Sequence, residues 1–490
     1  MSATVVLVLV IVVLMVFAAL TRSKAKDQPP GPFAWPIDGN RTMLQRLTRQ
    51  CGAQHLAFIE LCRRYDSPVI TLQLGFEKVV VVSGSKEILT VLKSEEFTGR
   101  PWNEFIKIRN LGKKQGITMN DGQDWNELRG WMVNTLKNFG FGGRGMSEMI
   151  KDELVVVLDS LKGGGVKRLK PILTPAVINV LWALTTGKRF CEGVRLEYFM
   201  ALMERRACVF DMVGGVLSNY PWIRYVAPEA SGYNLLVALN KELKDFLMET
   251  INEHKKNYVA GSEADLIDEF IREMVNGKGD TNVYTDDQLV MLLVDLFLAG
   301  ATTTAIAMDF MFLSMVVYQD VQREVHNEID SIIASDRLPD LLDRPKLPYT
   351  EAVMTESQRM WPVFPVIGPR RVLQDTYLEN YSIPKESTIV INIYSVGMDP
   401  TLYSKPNEFK PDRYIMDGAY KADPNNLVFG RGKRRCPGQV LAQSALFLLF
   451  VGVMQKFTLL PVPGKGPTSV EIVPGLAISP KPYEVLLVPR

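Results

Sequence analysis

Residues 429–438 contain the side chain best suited to metal chemistry, the thiol of Cys436, in the order Phe-Gly-Arg-Gly-Lys-Arg-Arg-Cys-Pro-Gly. Nearby cations favour a thiolate over a thiol, and the thiolate is the form that ligates soft metals. Glycines let the backbone pass close to a bulky group, and the guanidinium of Arg434 can bind a carboxylate. The loop therefore predicts a thiolate ligand for an iron cofactor that carries acidic groups, as haem does.

The alternative for Cys436 is the usual role of an unpaired cysteine, a small buried apolar side chain. The other cysteines have no comparable setting, and we expect them to be core or surface thiols: Cys51, Cys62, Cys191 and Cys208. An odd total of five with irregular spacing indicates a reducing compartment rather than a disulfide framework. A histidine-ligated metal is disfavoured, because the histidines are far apart in the sequence: His55, His254 and His326.

The composition indicates a large globular protein, with 490 residues, 47% hydrophobic content and a formal net charge of +2. This apolar content is ample for a large core, and no segment has the composition of a disordered region. The small net charge predicts neither nucleic-acid binding nor a strongly acidic partner.

The N-terminal segment is apolar throughout 5–20 and is followed by basic residues at Arg22, Lys24 and Lys26. It is about long enough to cross a bilayer, and its charges lie on the C-terminal side, which leaves the remaining chain in the cytosol. A cleaved signal peptide is the alternative, but such a peptide usually has a charged start and a shorter apolar run. We predict a signal-anchor transmembrane helix at 1–21, a basic and proline-rich hinge at 22–40, and one globular domain at 41–490.

Hydrophobic periodicity predicts a mainly α, α+β fold rather than alternating βαβ units. Two β-branched runs separated by Gly75, at 69–74 and 78–82, predict a hairpin, and strands are also predicted at 471–474 and 483–488. Breakers such as Gly163-Gly164-Gly165 separate the helices, which are predicted at 43–65, 123–139, 146–161, 170–187, 195–213, 231–257, 263–275, 285–317, 319–334, 348–360 and 439–456.

The segment 285–317 predicts an unusually long helix, about 45 Å at 1.5 Å per residue. Thr285 begins it with a capping-box pattern, and apolar residues nearly all round it indicate a buried position. A second membrane span is the alternative, which Asp295 and Asp309 make costly. Residues 299–304 of this helix read Ala-Gly-Ala-Thr-Thr-Thr, which predicts either a groove for a flat ligand or a packing seam against another helix.

The Cys436 loop resembles the haem-thiolate loop of the cytochrome P450 family, F-x-x-G-x-R-x-C-x-G, at Phe429, Gly432, Arg434, Cys436 and Gly438. The resemblance extends in order along essentially the whole chain and is greatest to the animal microsomal type. It implies the cytochrome P450 fold, with a long central helix, small β-sheets and an N-terminal membrane anchor helix. It also implies that 41–490 is a haem-binding catalytic domain with haem b held by Cys436, Phe429, Gly438 and Arg434.

The hexapeptide in the central helix is similar to the family's oxygen-activation motif, A-G-x-(acid)-T-T. The resemblance implies that Ala299 lies against haem and that Thr303 steers protons during oxygen activation. Thr302 stands at the acid position, which is a departure from the pattern. Proton delivery would then rely on hydroxyls and ordered water, or on an acid from elsewhere.

The motif E-x-x-R at Glu356 and Arg359 usually marks a solvated pair on one helix face. Its position before Pro411-Asp412-Arg413-Tyr414 is similar to the family arrangement. The resemblance implies that Glu356, Arg359 and Arg413 form a buried ion cluster with a structural role, which fixes the loop before the cysteine.

Trp125 and Arg129 match the family's W-x-x-x-R helix. Indole N–H and guanidinium groups are donors suited to the haem carboxylates, although a solvent-facing pair is the alternative. Arg100 and Arg370 also align with positions on the propionate side. Arg370 replaces a more usual histidine and still supplies a cation.

The implied activity is that of a monooxygenase, which inserts one oxygen atom from O2 into a lipophilic substrate by hydroxylation or epoxidation. Electrons would come from NADPH through a flavoprotein reductase, and cytochrome b5 is a second partner that the resemblance allows. By family position an apolar pocket is lined, together with Ala299 and Thr303, by Ile117, Phe364, Ile367 and Leu476. A basic face for the reductase would include Lys137, Arg431, Lys433 and Arg435.

The resemblance places the protein in the endoplasmic reticulum membrane by a single-pass anchor, with the catalytic domain facing the cytosol. The segment 208–226 would touch membrane lipid through Trp222, Tyr225 and Val226. Two other functions stay open at this point. Some haem-thiolate relatives are isomerases or dehydratases that need no external O2, and the chain could also be a haem-binding protein without turnover.

Overall fold

A computed structural model describes the protein over residues 3–21, 27–190, 193–209, 216–277 and 283–490. Helices dominate these ranges, as the periodicity predicts. They are α1 (Ala3–Thr21), α2 (Arg41–Cys51), α3 (Gln54–Arg64), α4 (Ser85–Lys93), α5 (Glu104–Arg109), α6 (Gln123–Asn138), α7 (Arg144–Leu161), α8 (Lys170–Thr186), α9 (Val194–Val209), α10 (Val216–Asn219), α11 (Ile223–Val226), α12 (Tyr233–Asn257), α13 (Leu266–Val275), α14 (Asp286–Val317), α15 (Gln319–Ile332), α16 (Pro348–Met360), α17 (Tyr394–Gly397) and α18 (Gln439–Lys456).

The strands are short and form small sheets. They are β1 (Val69–Leu74), β2 (Glu77–Val82), β3 (Gly165–Lys167), β4 (Ile367–Arg371), β5 (Thr376–Leu378), β6 (Tyr381–Ile383), β7 (Thr388–Ile391), β8 (Ile415–Met416), β9 (Ala419–Tyr420), β10 (Phe457–Pro461), β11 (Ile472–Val473), β12 (Ser479–Pro480) and β13 (Val485–Pro489). The described 3-10 segments are Glu95–Phe97, Leu341–Lys346, Pro411–Tyr414 and Gly432–Arg434.

The long helix α14 lies in the core. Thr285 caps it, since the Thr285 hydroxyl oxygen accepts from the N–H of Gln288 at 3.2 Å, which confirms the predicted start. Two described helices, α14 and α18, are long and apolar enough to cross a membrane, but 72% and 67% of their apolar stretches are buried inside the protein. Both are therefore core helices. Helix α1 exposes its apolar side chains from Val5 to Val13, and its role as an anchor stays a prediction.

The largest sheet has the order β1-β2-β7-β4. Its first two strands form the predicted hairpin, in which Val69 lies opposite Val82 and Gly75 takes a φ of 59°. Strand β2 pairs with β7 in parallel. On the other side of β7, β4 is antiparallel and its register shifts between Ile367 and Arg370. This sheet therefore carries two of the predicted site residues on one edge strand.

Some element boundaries differ from the predicted ones. The predicted helix 43–65 is two helices, because Gly52 ends α2 with a φ of 86°, which an L side chain rarely adopts. The triple glycine predicted as a breaker leads directly into β3, which pairs with β13. Helix α9 ends at Val209, and the rest of the predicted helix, together with Cys191, lies outside the described residues.

The proline-rich stretch is fastened to the globular part from Asp27 onward. The N–H of Thr71 donates to the carbonyl of Pro30 at 2.7 Å, and the N–H of Gln73 donates to Asn40 Oδ1 at 2.8 Å. These bonds extend the edge of β1, so residues 27–40 are held against the sheet. The predicted domain boundary at 40 and 41 stays a prediction.

Candidate active site

Cys436 lies between the 3-10 segment Gly432–Arg434 and the start of α18. Its N–H donates to the carbonyl of Phe429 at 2.8 Å, which closes the loop on itself. Gly432 has a φ of 70°, and a Cβ there would lie 2.2 Å from the carbonyl oxygen of Leu92. This loop position therefore requires glycine, because the backbone packs directly on α4.

Burial raises the pKa of the Cys436 thiol, against the lowering effects of the Gly438 N–H and the charge of Arg129. Burial therefore opposes the thiolate that the cations near the loop favour. The side chains of Arg431, Lys433 and Arg435 are exposed, where water screens their charges. A metal ion bound at the sulfur would stabilise the thiolate directly.

Three buried or half-buried guanidinium groups lie near this loop with few partners. Arg434 Nε donates to the carbonyl of Thr98 at 2.8 Å, but Arg434 Nη1 is buried and has no hydrogen-bond partner among the described residues. Arg370 is 3% exposed, and its Nη1 reaches the carbonyl of Phe97 at 3.4 Å. Arg100 Nη1 donates to the carbonyl of Pro369 at 2.6 Å. The described hydrogen bonds of these three side chains go to carbonyl groups and not to acids.

Burial and mutual repulsion lower the pKa values of these three arginines. Burial, with repulsion from Arg100 and Arg370, lowers the pKa of Arg434 to about 8. Burial and repulsion from Arg100 lower the pKa of Arg370 to about 9, and burial lowers that of Arg100 to about 10. The charge of Asp121 partly opposes the lowered pKa values of Arg100 and Arg434, but its carboxylate is bonded to Arg371, to the Arg100 N–H and to Lys114.

The arginine cluster (Arg100, Arg370 and Arg434) fits an acidic cofactor. Buried cations without an acid are costly, and a guanidinium binds a carboxylate in a forked geometry. A haem with two propionates would supply the missing charge and would give the unpartnered Arg434 Nη1 an acceptor. The donor set of this structure is therefore suited to haem.

Trp125 and Arg129 join α6 to the cysteine loop. The predicted contact of Arg129 with haem carboxylates stays a prediction, whereas the Trp125 indole N–H has another partner. Trp125 Nε1 donates to the carbonyl of Ile117 at 2.9 Å, so its indole N–H is engaged within the protein. Its ring instead supports Arg434, whose Cζ lies 3.5 Å from the ring centre. Arg129 Nη2 donates to the carbonyl of Arg435 at 2.5 Å. These two side chains thus position the loop around Cys436 and the guanidinium of Arg434.

The hexapeptide of α14 contains both exposed and closely packed positions. Ala299 is exposed and Thr303 is half-buried in the middle of this core helix, and the Thr303 hydroxyl donates to the carbonyl of Ala299 at 2.6 Å. Gly300 faces a neighbour, since a Cβ there would lie 2.9 Å from Leu181 Cδ2 on α8. The packing against another helix is therefore confirmed at Gly300, and the groove for a flat ligand at Ala299 and Thr303 stays a prediction. Thr302 is half-buried beside them.

The predicted pocket residues come from separate elements. Ile117 is 8% exposed and belongs to the connection between α5 and α6. Phe364 precedes β4, which carries Ile367, and the Ile478 N–H donates to the carbonyl of Val363 at 2.8 Å. This bond brings the loop that contains Leu476 next to Phe364. The side chains of Phe364, Ile367 and Leu476 are not fully buried.

Glu356, Arg359 and Arg413 are brought together around one buried acid. Glu356 is 0% exposed and binds Arg359 Nε at 2.7 Å and Arg413 Nε at 3.0 Å. It also accepts from the Tyr414 hydroxyl at 3.0 Å and from the Lys410 N–H at 2.9 Å. The acid thus holds the segment 410–414 against α16.

Comparison with known proteins identifies the family. The family model described as Cytochrome P450 matches residues 29–487. The chain belongs to the cytochrome P450 family. Among its relatives, the probable cytochrome P450 305a1 of Drosophila melanogaster is 35% identical over 505 residues, covering 100% of both chains. Farnesoate epoxidase of Bombyx mori is 35% identical over 489 residues, covering 99% of this chain and 98% of its own. Human cytochrome P450 2J2 is 30% identical over 478 residues, covering 96% of this chain and 93% of its own.

Members of the cytochrome P450 family bind haem and are monooxygenases, and this P450 is an enzyme of that class. The family fold predicted from the sequence is confirmed. Sequence reasoning missed the hydrogen bonds that Asp295 makes to the loop before α6. The available signal was the charge of Asp295 within an otherwise apolar stretch of the helix.

Proposed function

We propose that this P450 inserts one oxygen atom from O2 into a lipophilic small molecule, with electrons that come from NADPH through a flavoprotein reductase. The observation that carries the proposal is the arginine cluster without an acid, next to the loop that presents Cys436. A cofactor that brings both iron and carboxylates meets both needs at once.

In this proposal Cys436 would ligate the iron of haem b through its thiolate, and Arg100, Arg370 and Arg434 would hold its propionates. Haem would supply the oxygen-activating chemistry when it is bound. The protein provides orientation and a dry site. Phe429 and Gly438 shape the loop around the ligand, with the hydrogen bond at the Phe429 carbonyl supporting that role.

Ala299 and Thr303 would lie beside the bound cofactor on the central helix, where Ala299 leaves room. The Thr303 hydroxyl donates to the Ala299 carbonyl at 2.6 Å, and its oxygen keeps acceptor lone pairs with which it would hold an ordered water. With Thr302 at the acid position, ordered water beside these hydroxyls completes the proton path. Coupling of electron use to product is then weaker than in a site with an acid.

The substrate class follows from the pocket and from one relative. Ile117, Phe364, Ile367 and Leu476 would give an apolar cavity, which favours a lipophilic substrate. A relative at 35% identity is named farnesoate epoxidase, so epoxidation of a terpenoid acid is the first reaction to test. Hydroxylation of fatty acids, steroids or aromatic compounds is the wider screen.

The deciding experiment is spectroscopic. The purified full chain, reduced with dithionite under carbon monoxide, should show the red-shifted Soret band of a thiolate-ligated haem, and Cys436→Ala should lose it. A colourless protein, or a Cys436→Ala variant with an unchanged spectrum, would contradict the proposal. Product formation that depends on NADPH, reductase and O2 separates the monooxygenase from a haem-thiolate isomerase or dehydratase, which would need none of them.

The reductase would dock on the exposed cations beside the cysteine loop, Arg431, Lys433 and Arg435, with Lys137 nearby. Charge reversal of Arg431 and Arg435 should slow reductase-supported turnover and leave peroxide-supported turnover unchanged, because only the former needs protein docking. Cytochrome b5 would use the same face. Equal reductase kinetics in the reversed variant would rule this surface out.

We also propose that the protein sits on the endoplasmic reticulum membrane, anchored by 1–21, with the catalytic domain in the cytosol. The apolar exposed residues of α1 support this, as do Trp222, Tyr225 and Val226, which are 53%, 76% and 75% exposed around α11. Clusters of exposed apolar side chains are typical of membrane contact. Deletion of 1–21 should move the protein from the membrane to the soluble fraction in whole or in part.

A further inference from the structure

A polar cleft lies between the loop that joins α5 to α6 and the first turn of α14. Its volume is about 530 Å³, and all of the described residues that line it have polar or charged side chains. This volume is in the range of small-molecule sites, and it equals that of roughly 18 water molecules at about 30 Å³ each. A lipophilic substrate would find no apolar wall in this cleft. The cleft is therefore suited to a different, polar molecule.

Two buried amide side chains that line the cleft have hydrogen-bonding groups without a partner. Asn120 is 2% exposed, and its Oδ1 accepts from the Asp121 N–H at 2.9 Å. Its Nδ2 has no hydrogen-bond partner among the described residues. Gln115 is 7% exposed, and its Oε1 also has no partner among them. Buried polar groups are normally paired, and an unpaired one is costly, so a donor and an acceptor are available here to a bound molecule.

The acids in the first turn of α14 already have cationic partners. Asp287 pairs with Lys113 at 2.6 Å and with Lys244 at 2.7 Å. Asp286 pairs with Lys255 at 2.5 Å. These pairs balance the negative charge at that end of the cleft, so the two acids do not exclude an anionic ligand.

Lys114 is the cation that lies next to the two amides in the sequence. It pairs with Asp121, and its side chain is 37% exposed. Asp121 also accepts from Arg371 Nη2 at 2.8 Å, so it keeps a cationic partner when Lys114 binds a ligand. Asp124 lines the cleft as well, but it is exposed, where water and salt screen its charge. The ammonium group of Lys114 is therefore available to an anion.

These three side chains define the chemistry of a ligand. The ammonium group of Lys114 and the Nδ2 group of Asn120 are donors, and charge-assisted hydrogen bonds make a carboxylate their best acceptor. Gln115 Oε1 is an acceptor, so it needs a donor that an ionised carboxylate lacks. A hydroxyl group supplies that donor. A small organic acid that also carries a hydroxyl group therefore satisfies all three.

We propose that this cleft is a second ligand site, which binds a small hydroxy acid. Its carboxylate would be held by Lys114 and Asn120, and its hydroxyl would donate to Gln115. The site is separate from the proposed substrate pocket. None of these three residues is among those proposed to hold the cofactor, so the site does not depend on haem.

Ordered water on the two amides is the competing explanation, since water both donates and accepts. Selectivity between two acids separates the explanations. L-malate and succinate carry the same charge at neutral pH and differ by one hydroxyl group. A water-filled cleft would not distinguish them, whereas a site with an acceptor for the hydroxyl would.

The first experiment titrates the haem-loaded full chain with each acid in a calorimeter at constant ionic strength. Haem propionates then occupy the arginine cluster, which would otherwise attract both acids. Malate should bind saturably and at least about fivefold more tightly than succinate, because succinate leaves Gln115 Oε1 unpaired. Gln115→Met removes this acceptor at similar side-chain length and should abolish the preference. Gln50→Met, at an exposed position of α2, is the control and should keep it. No saturable malate binding, or an unchanged preference in Gln115→Met, would overturn the proposal.

A second pair of variants decides the question if Gln115→Met does not fold. Lys114→Met should weaken both acids by at least about tenfold, because it removes a charged donor from the carboxylate. Lys107→Met is the matched control, since Lys107 also belongs to an ion pair and its side chain is 41% exposed, against 37% for Lys114. It should bind both acids as the parent does. Parental affinities in Lys114→Met would overturn the proposal.

Hydrogen exchange locates the site. Saturating malate should slow amide exchange within 113–121, because a bound ligand stabilises the segment that holds it. Slower exchange elsewhere, with parental rates within 113–121, would place malate outside the cleft and would overturn the proposal.

Failure of the cleft and failure of the proposed function can be told apart. A parent protein without the thiolate–haem spectrum would refute the proposed function only, and in that haem-free protein Lys114→Met should still reduce the protection of 113–121 by malate. A parent with the spectrum, but without saturable malate binding, would refute only the second ligand site.

Discussion

Two groups of buried arginines in this molecule differ in whether the protein itself supplies an anion. Arg359 and Arg413 share the buried acid Glu356, which accepts five hydrogen bonds from side chains and backbone. Arg100, Arg370 and Arg434 bond to carbonyl groups, and Arg434 Nη1 has no partner among the described residues. Both groups are unusual in a folded protein, because arginine side chains are rarely buried.

The pKa values of Arg359 and Arg434 move in opposite directions. Burial works against the charge of Arg359, but the hydrogen bonds and charge of Glu356 outweigh it and raise the pKa of Arg359. Burial and neighbouring arginines lower the pKa of Arg434 to about 8. Burial of a cation therefore does not by itself indicate a ligand site. A buried cation indicates such a site when none of its hydrogen bonds goes to an acidic side chain, as at Arg434.

The largest expected effect is on the cluster with its own acid. Glu356→Gln leaves Arg359 buried without a counter-charge, which should lower the free energy of unfolding by about 3–5 kcal/mol. Chemical denaturation of the full chain measures this change. Glu60→Gln is the matched control, because Glu60 also binds two arginines, Arg63 and Arg64, but on the exposed surface. That control should show no measurable loss, and a similar loss in both variants would contradict the comparison.

A smaller effect of a different kind is expected at the arginine cluster. Arg434→Met should not lower the stability of the haem-free protein, because it removes a cation that lacks an acid. It should weaken haem binding by about 10–100-fold, since a hydrogen bond to a charged group contributes about 1.5–3 kcal/mol. Haem loss to an acceptor protein measures this affinity, with the exposed Arg431→Met as control. Equal haem retention in Arg434→Met and the parent would show that the protein does not need this cation for the cofactor.

The smallest effect is expected at a partly exposed pair, His254 and Asp265, whose side-chain atoms lie 3.1 Å apart. Burial opposes protonation, but hydrogen bonds to Asp265 and to the Thr250 carbonyl raise the pKa of His254 from 6.5 to about 9. The pair therefore stabilises the fold fully below pH 6.5, and this contribution is lost as the pH rises through about 9. The loss should be about 1–2 kcal/mol after allowance for solvent screening.

Comparison of the parent with His254→Gln at about pH 6.5 and about pH 10 tests this dependence. The difference in unfolding free energy should be present at the lower pH and absent at the higher pH. His326→Gln is the control, because burial lowers the pKa of His326 to about 4 and its charge does not change in the folded protein over this range. A constant difference between the parent and His254→Gln at both pH values would contradict the assigned pair.

The sequence was informative where function depends on residues that are close along the chain. The loop 429–438 carries a cysteine, glycines and cations within ten positions, and the central helix begins at its predicted cap. The predicted use of the Trp125 indole N–H was different in the structure, because the Ile117 carbonyl takes that donor. A motif gives the residue type, and only the packed structure gives the partner.

Contacts between distant segments explain what the sequence left out. Asp295 binds amides 178 and 177 residues away, and Arg370 reaches a carbonyl 273 residues away. No local pattern encodes such pairs, because only the packing of the fold brings the two segments of each pair together. The Cys436 thiol shows the same limit, since its surroundings favoured the thiolate in sequence while burial raises its pKa in the fold.

The sequence by itself determined the helical framework, the hairpin and the position of the cysteine loop, because periodicity, caps and glycines act over a few residues. Tertiary structure alone decided which buried arginines have an acid and which do not, because burial removes water from every charge and leaves only the neighbours that the fold provides. That difference separates the cluster that binds the segment 410–414 to α16 from the cluster that we propose binds an acidic cofactor.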